Sequence, residues 1–387
     1  MGMVKSTGRR QKQNTVLLGN SFFPGPVSPQ TGRVIATTER LAALASALHR
    51  AGWLAVDTEA DSLHSYPEKL CLVQISLEGA NELVDPLAGL DLSPLWQALA
   101  GRELIFHAAD YDLRLLHRGP GFVPTRIFDT MLAARLVGCR EFSLSALVVK
   151  YLGVTLEKGS QKADWSRRPL SPRMEDYARN DTRYLKPVSD LLRADLVARG
   201  RLGWHEETCA RLIADAIAFS AADPNDVWRI KGSTRLHRAG LAVLREIWHW
   251  REQEARSANR PPFFVLSHDS VIALAFAASA GQPLDPLVPH RMAPHRKKSL
   301  ADAIACGLAV PPGQQPVIIR TRSRHVSDAE KKRAAEIQLR RDKHATELGI
   351  DPTLIASRGM INDLAESWDK NAPRLMPWQR ALLSGLT

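Results

Sequence analysis

Apolar positions in the first half of the chain follow two different periods. From Thr38 to Ala51 they fall on one helical face, at Leu41, Leu44, Ala45 and Leu48. That spacing predicts an amphipathic helix. Thr37 precedes it as an N-cap, and Gly52 follows where a helix C-terminus favours glycine. Trp53-Leu54-Ala55-Val56 is a short continuous apolar run that reads as a buried strand. Leu70 to Ser76, Glu82 to Asp85 and Leu104-Ile105-Phe106-His107 predict further strands, the last followed by a leucine-rich helix. Strands and helices mixed in this way predict an α/β layered fold over residues 31–203.

The pattern changes after that. Leu236 to Trp250 carries Leu241, Leu244, Ile247 and Trp248 on one stripe, which predicts a helix. Ser327 and Glu330 have the spacing of a capping box. Asp351-Pro352 starts another short helix, with Gly359 expected to stop it. Pro311-Pro312-Gly313 marks a linker, followed by the basic run Arg320, Arg322 and Arg324. The expected organisation is a tail at 1–30, an α/β domain at 31–203 and a linker at 204–226. A helical domain at 227–305, a second linker at 306–326 and a second helical domain at 327–387 complete it.

Composition narrows the partners. Fifty-two Lys and Arg against 41 Asp and Glu give a net charge of +11 over 387 residues. Between Pro286 and Lys343 there are thirteen basic residues and five acidic ones. Such a balance suits a polyanion, because cationic side chains that neutralise phosphates release counterions. It equally suits a solvated helix face. Cys71, Cys139, Cys209 and Cys306 are too far apart for a zinc site or a compact disulfide scaffold. They favour a reducing compartment. No run is apolar enough for a membrane span, and Met1 to Asn14 is polar and basic without a signal-peptide core. A cytoplasmic protein is expected.

Three segments carry candidate chemistry. Asp57 and Glu59 sit at the end of the Leu54–Val56 strand, and residues i and i+2 of a strand share a face. Two carboxylates there repel each other, and hard oxygen ligands suit Mg²⁺ or Mn²⁺. A strand emerging into solvent would look the same. Asp61 extends the alternation by one more acid. His107-Ala108-Ala109-Asp110-Tyr111-Asp112 follows another strand, with Asp110 placed as a helix cap and Asp112 in the first turn. Ser171-Pro172 starts a helix on which Tyr177 and Asp181 are i and i+4, on one face.

Taken in order, strand-Asp-x-Glu, strand-turn-Asp and helical Tyr-x-x-x-Asp form the tyrosine variety of the DEDD exonuclease pattern. With Leu72-Val73-Gln74-Ile75, Phe128-Asp129-Thr130-Met131, Leu152-Gly153-Val154, Asp164-Trp165 and Arg168-Pro169-Leu170-Ser171, the chain resembles the ribonuclease D family from about Val34 to Ala198. One departure is Ala60, where many relatives carry an aromatic residue. The resemblance implies a ribonuclease H-like exonuclease domain, a mixed sheet flanked by helices. It implies two divalent ions, Mg²⁺ or Mn²⁺, with Asp57 bridging both. Glu59 and Asp181 would complete the water-activating ion's site, and Asp112 would hold the other ion. Tyr177 would orient the nucleophilic water.

His107 could contact the terminal nucleotide, Gln74 is expected to satisfy a local hydrogen bond or touch substrate, and Trp165 could stack a base or fill the core. Leu236 to Leu274, with Arg260-Pro261-Pro262 inside it, resembles the HRDC module, which implies nucleic-acid binding. A fainter copy falls at Ser327 to Leu386, around Ile355 to Gly359. The implied function is a 3′→5′ exoribonuclease releasing nucleoside 5′-monophosphates. The expected partner is structured RNA with a single-stranded 3′ end, such as precursor tRNA, and nothing requires more than a monomer. A DNA exonuclease of the proofreading type and a catalytically silent RNA-binding scaffold are the alternatives. No Gly-x-x-x-x-Gly-Lys-Ser/Thr nucleotide loop is present, which disfavours a helicase.

Overall fold

The computed structural model describes residues 34–157, 159–219, 226–319 and 326–385. The expected tail at 1–30 and the basic run Arg320, Arg322 and Arg324 lie outside the described residues. The first half is built from α1 (Thr38–Arg50), β1 (Leu54–Ala60), β2 (Leu70–Leu77), β3 (Ala80–Val84), α2 (Ser93–Leu99), β4 (Glu103–Phe106), α3 (Asp110–Arg118) and β5 (Arg126–Asp129). It continues with α4 (Thr130–Leu136), α5 (Leu144–Leu152), α6 (Pro172–Arg183), α7 (Leu185–Ala198) and α8 (Leu202–Phe219).

The five strands form one mixed sheet in the order β3-β2-β1-β4-β5. The first three strands are antiparallel, and β4 and β5 run parallel to β1. Strand β1 is therefore central and buried on both sides, which is why its apolar part reads as a continuous run. Leu54 and Val56 face a core closed by Leu41, Leu44 and Leu48 of α1, Leu95 and Leu99 of α2 and Leu113 and Leu116 of α3. Ala55 packs on the other face, with Ile105 and Leu185 of α7. Leu72 and Leu83 lie there too, against Trp165, Leu170 and Ala178 of α6.

Thr37 caps α1, its hydroxyl accepting from the Arg40 N–H at 3.4 Å. Gly52 is not its left-handed cap, since the helix ends at extended Ala51. Gly52 instead donates its N–H to Glu78 Oε1 at 3.0 Å.

The stretch 204–226, expected as a linker, is helical through Phe219. Cys209 and Ala216 of α8 enter the sheet's core, and His205 Nε2 lies 3.0 Å from the Asp129 carbonyl. Leu212 and Ile213 pack beside them, so Cys209, Leu212, Ile213 and Ala216 form an i, i+3, i+4, i+7 stripe, and the expectation of a linker passed over it.

The remaining helices form two groups. The first holds α9 (Arg238–Ser257), α10 (Pro262–Val265), α11 (His268–Ser279) and α12 (Pro294–Leu308). Its core takes Leu241, Leu244 and Ile247 from the predicted stripe, while Trp248 is only partly buried and Trp250 fills the interior. Helix α12 extends to Leu308, into the expected 306–326 linker.

The second group holds α13 (Asp328–Leu348), α14 (Pro352–Ile355), α15 (Arg358–Glu366), α16 (Trp368–Asn371) and α17 (Pro377–Leu383). The Ser327–Glu330 capping box is present in both directions. Asp351 caps α14 by accepting the Thr353 N–H at 2.7 Å. Gly359 does not stop α14, which ends at extended Ala356; Gly359 lies within α15, which Ser357 caps. Among the described residues no helix is long and apolar enough to cross a membrane.

This last group shares its core with the sheet domain. Ile337, Ile361, Leu364 and Trp378 pack in one cluster with Phe128, Leu136, Leu147, Val188 and Leu192. Trp204 of α8 stacks on Trp378 with ring centroids 4.8 Å apart. Arg201 donates to the Leu136 carbonyl at 2.7 Å and to the Leu348 carbonyl at 2.8 Å.

Candidate active site

Asp57 and Glu59 extend from the C-terminal end of β1 onto the face covered by α6. In register, Asp57 stands opposite Gln74 and Glu59 opposite Leu72. The pairing shifts between Glu59 and Ala60. That irregularity breaks the alternation, so Asp61 does not join the acids as expected. It is fully buried, accepts the Lys69 N–H at 2.7 Å and pairs with Lys69 Nζ at 2.8 Å.

Asp112 arrives from the opposite face of the sheet. After β4 the chain turns through Ala108, whose φ of 59° is left-handed, and the Ala109 N–H donates to Asp129 Oδ2 at 2.8 Å. A non-glycine residue in that region is strained and is held there by its surroundings. Asp129 also caps α4, accepting the Leu132 N–H at 3.0 Å. The turn sets Asp112 against β1, where both the Thr58 N–H, at 3.1 Å, and the Thr58 hydroxyl donate to its Oδ1. Asp110 is not the cap. Ala109 holds that position and Asp110 pairs with Arg114.

Helix α6 supplies the third side. Ser171 caps it by accepting the Met174 N–H at 3.3 Å, with Pro172 at its first position. Tyr177 and Asp181 face the strand from successive turns, and the Tyr177 hydroxyl donates to the Asp181 carboxylate. Tyr177 is backed by Trp165, with ring centroids 6.1 Å apart. Gly159 closes over its edge so tightly that a Cβ would lie 1.8 Å from Tyr177 Cδ2.

Asp57, Glu59 and Asp181 each bring a carboxylate oxygen within 4.8 Å of the other two, and all three are partly accessible. Asp112 is outside that trio but close enough for its charge to act on each member. Burial, then repulsion from Asp112, Asp181 and Glu59, holds the Asp57 carboxyl well above its usual range. Burial and the charges of Asp181 and Asp112 push Glu59 up to about 9. Asp181 rises to about 7 through burial and Asp112. Asp112 also rises to about 7, burial outweighing the Thr58 hydrogen bonds. Carboxylates driven up together in this way are a donor set for hard divalent cations, which take oxygen ligands and relieve the repulsion. The residues present fit such an ion.

The weaker sequence candidates fare differently. His107 is half-buried, its Nδ1 2.9 Å from the Thr130 hydroxyl, and burial lowers its pKa. Trp165 is 1% exposed and offers no face to a base; its role is packing behind Tyr177. Gln74 is 0% exposed, which removes it from direct contact with substrate. The expected local hydrogen bond is also missing: among the described residues neither end of its amide has a partner. Thr58, Asp129 and Gly159 escaped the sequence reading. Thr58 and Asp129 lie inside quoted motifs, but their importance comes from pairing with residues tens of positions away, and only folding reveals it.

Residues 33–196 match the family model described as 3′-5′ exonuclease, and residues 240–280 match that of the HRDC domain. Ribonuclease D of Jannaschia sp. is 32% identical over 350 residues, covering 86% of this chain and 89% of the relative. Ribonuclease D of Gluconacetobacter diazotrophicus is 31% identical over 373 residues, 93% of this chain and 91% of the relative. Among solved structures, Escherichia coli RNase D, described as an exoribonuclease involved in structured RNA processing, superposes with a TM-score of 0.72 at 27% identity. That match covers 89% of this chain and 92% of the other. A Bifidobacterium adolescentis protein shares the fold, with a TM-score of 0.73 at 23% identity over 91% of this chain and 95% of that one. With these relatives matched at 31–32% identity over 86–93% of its length, the chain belongs to the ribonuclease D family of 3′→5′ exoribonucleases.

Proposed function

We propose that this exoribonuclease removes nucleoside 5′-monophosphates one at a time from RNA with two divalent cations, Mg²⁺ or Mn²⁺, held by Asp57, Glu59, Asp112 and Asp181. The observation that supports it is the convergence of three carboxylate oxygens within 4.8 Å, beside a fourth acid fixed by Thr58. Bound there, two such ions would stabilise the attacking and the leaving oxygen of an in-line phosphoryl displacement.

In this reading Asp57, at the centre of the sheet, would serve both ions. Glu59 and Asp181 would serve the ion nearer Tyr177, and Asp112 the other. Burial and the surrounding carboxylates push the Tyr177 phenol up, so it stays protonated. Its one proton is then donated to Asp181, and its oxygen orients the attacking water by accepting a hydrogen bond from it, without taking its proton. His107, at the end of β4, borders the terminal nucleotide.

The substrate we propose is structured RNA with a single-stranded 3′ end, of which precursor tRNA is an example, processed in the cytoplasm by a monomer. The helical modules, expected at 227–305 and 327–387, hold the RNA body while the 3′ end enters the nuclease.

A 5′-labelled RNA hairpin with a 3′ tail tests this with Mg²⁺, with Mn²⁺ and with EDTA, beside Asp181→Asn and a DNA hairpin. A ladder shortening from the 3′ end, dependent on metal and Asp181 and favouring RNA, is expected. Preference for DNA would reassign the substrate. Binding without cleavage of either would leave an RNA-binding scaffold.

A further inference from the structure

The helical group built on α9 turns two aromatic rings into solvent. Helix α10 is a single turn, anchored from beneath by Val265 and Leu266, which lie in the core with Leu241, Leu244 and Ile247. Its other two aromatic positions point outward. Phe263 is 50% exposed and Phe264 61%, with ring centroids 4.6 Å apart and planes tilted by 37°. A lone exposed phenylalanine needs no explanation. Two adjacent rings on a turn anchored in the core form a contiguous apolar surface of the kind that marks an interaction site.

The surroundings choose the partner. Arg256 and Arg260 are exposed on the segment that leads into this turn. Four residues before Phe263, Asn259 Oδ1 accepts the Tyr66 N–H at 3.3 Å. The Arg256 guanidinium lies 5.9 Å from the Tyr66 ring centroid, and the Tyr66 hydroxyl donates to Glu252. Tyr66 belongs to the loop that joins β1, bearing Asp57 and Glu59, to β2. The aromatic pair therefore follows, four residues along the chain, the point where the helical group meets the loop leaving the active-site strand. Exposed rings with flanking arginines are the combination that binds single-stranded nucleic acid, the rings stacking on bases and the cations tracking the backbone.

We propose that Phe263 and Phe264 form a stacking platform for a nucleobase of the RNA strand feeding the nuclease site, with Arg256 and Arg260 holding the adjacent phosphates. The platform needs only that the substrate is RNA and is independent of the metal count and of the RNA's identity. It acts on bases without hydrogen-bond readout, so it tolerates any sequence.

The test uses the full chain carrying Phe263→Ala and Phe264→Ala together, and the Phe264→Trp variant. Affinity for a fluorescein-labelled oligoadenylate is read by anisotropy in EDTA, and hydrolysis of a dinucleotide is read in Mg²⁺. Losing the rings on which a base stacks is expected to weaken oligonucleotide binding by the alanine pair by roughly tenfold. Dinucleotide hydrolysis should be unchanged, and Phe264→Trp should bind at least as tightly as the native chain. A 4-thiouridine oligonucleotide should crosslink to this turn in the native protein. Undiminished binding by the alanine pair would overturn the proposal and leave the rings to a protein partner. Equal loss on dinucleotide and oligonucleotide would also overturn it, because the rings would then be supporting the nuclease itself.

Discussion

Thr58 and Asp112 are 54 residues apart in sequence yet are bound twice, the Thr58 N–H and hydroxyl both donating to Asp112 Oδ1. Thr58 sits between Asp57 and Glu59 on β1, but its side chain points to the other face of the sheet. The alternation of the strand thus lets three consecutive residues serve one site: two acids on one face, and on the other the anchor for the acid that arrives from α3.

Thr58→Val should keep the shape and the backbone bond while removing the hydroxyl donor. A hydrogen bond to a charged group is worth about 1.5–3 kcal/mol. The expected result is a fall in kcat on the order of tenfold or more with little change in RNA affinity, read by single-turnover digestion beside an anisotropy measurement. Unchanged kcat would mean that the backbone bond alone holds Asp112.

Removing metal should make the protein's stability depend on pH in a defined sense. Asp57, Glu59, Asp112 and Asp181 are all raised in the folded state. Groups raised on folding favour the folded state at low pH, and the benefit disappears as pH climbs through their folded values. Here it is present below about pH 4 and lost as pH passes about 7 for Asp112 and Asp181 and about 9 for Glu59. In EDTA, the Tm should be higher at pH 5.5 than at pH 8.5. Added Mg²⁺ should narrow that gap by stabilising the ionised form, and Asp57→Asn should narrow it without metal. A Tm that rises with pH in EDTA would contradict the assigned repulsion.

The last helical group should behave as part of the nuclease core. Trp378→Ala removes the ring stacked on Trp204 and opens a buried hole in a cluster that also contains Leu136, Leu147 and Val188. Large-to-alanine changes of aromatic core residues cost about 3–5 kcal/mol. Urea unfolding should show that loss in a single transition, and residues 326–387 should be needed for a stable nuclease. A separate early transition, with the nuclease transition unmoved, would show that the group is merely appended.

How much of this was legible depended on the range of the interaction. Asp57, Glu59, Tyr177 and Asp181 were readable because strand and helix periods are local, and β1 and α6 obey them. The turn chemistry at Ser171, Ser327 and Asp351 is local too, and each of these residues caps its helix. Asp61 was misplaced because a register shift after Glu59 has no sequence signature of its own. Trp165 and Gln74 were ambiguous because a tryptophan at a pocket wall and one behind it have the same neighbours in sequence. The docking of α13–α17 was invisible for a related reason: apolar residues on α7 look alike whether their own domain or a distant segment covers them.

Gly159 offers the sharpest test of how Tyr177 is held. It lies between the Leu152-Gly153-Val154 and Asp164-Trp165 motifs, and nothing in the sequence distinguishes it from an ordinary loop glycine. In the fold, its backbone lies against the ring, where a methyl group would fall 1.8 Å from Cδ2. Trp165 already occupies the space behind that ring, so Gly159→Ala must shift either the loop or the tyrosine. The expected effect is a lowered kcat with RNA affinity in EDTA unchanged, because what is lost is the aim of the Tyr177 hydroxyl at Asp181. Tyr177→Phe supplies the control. If the hydroxyl's position is what Gly159 protects, adding Gly159→Ala to Tyr177→Phe should cost much less than it costs the native chain. Equal losses in both backgrounds would place the effect of Gly159 elsewhere.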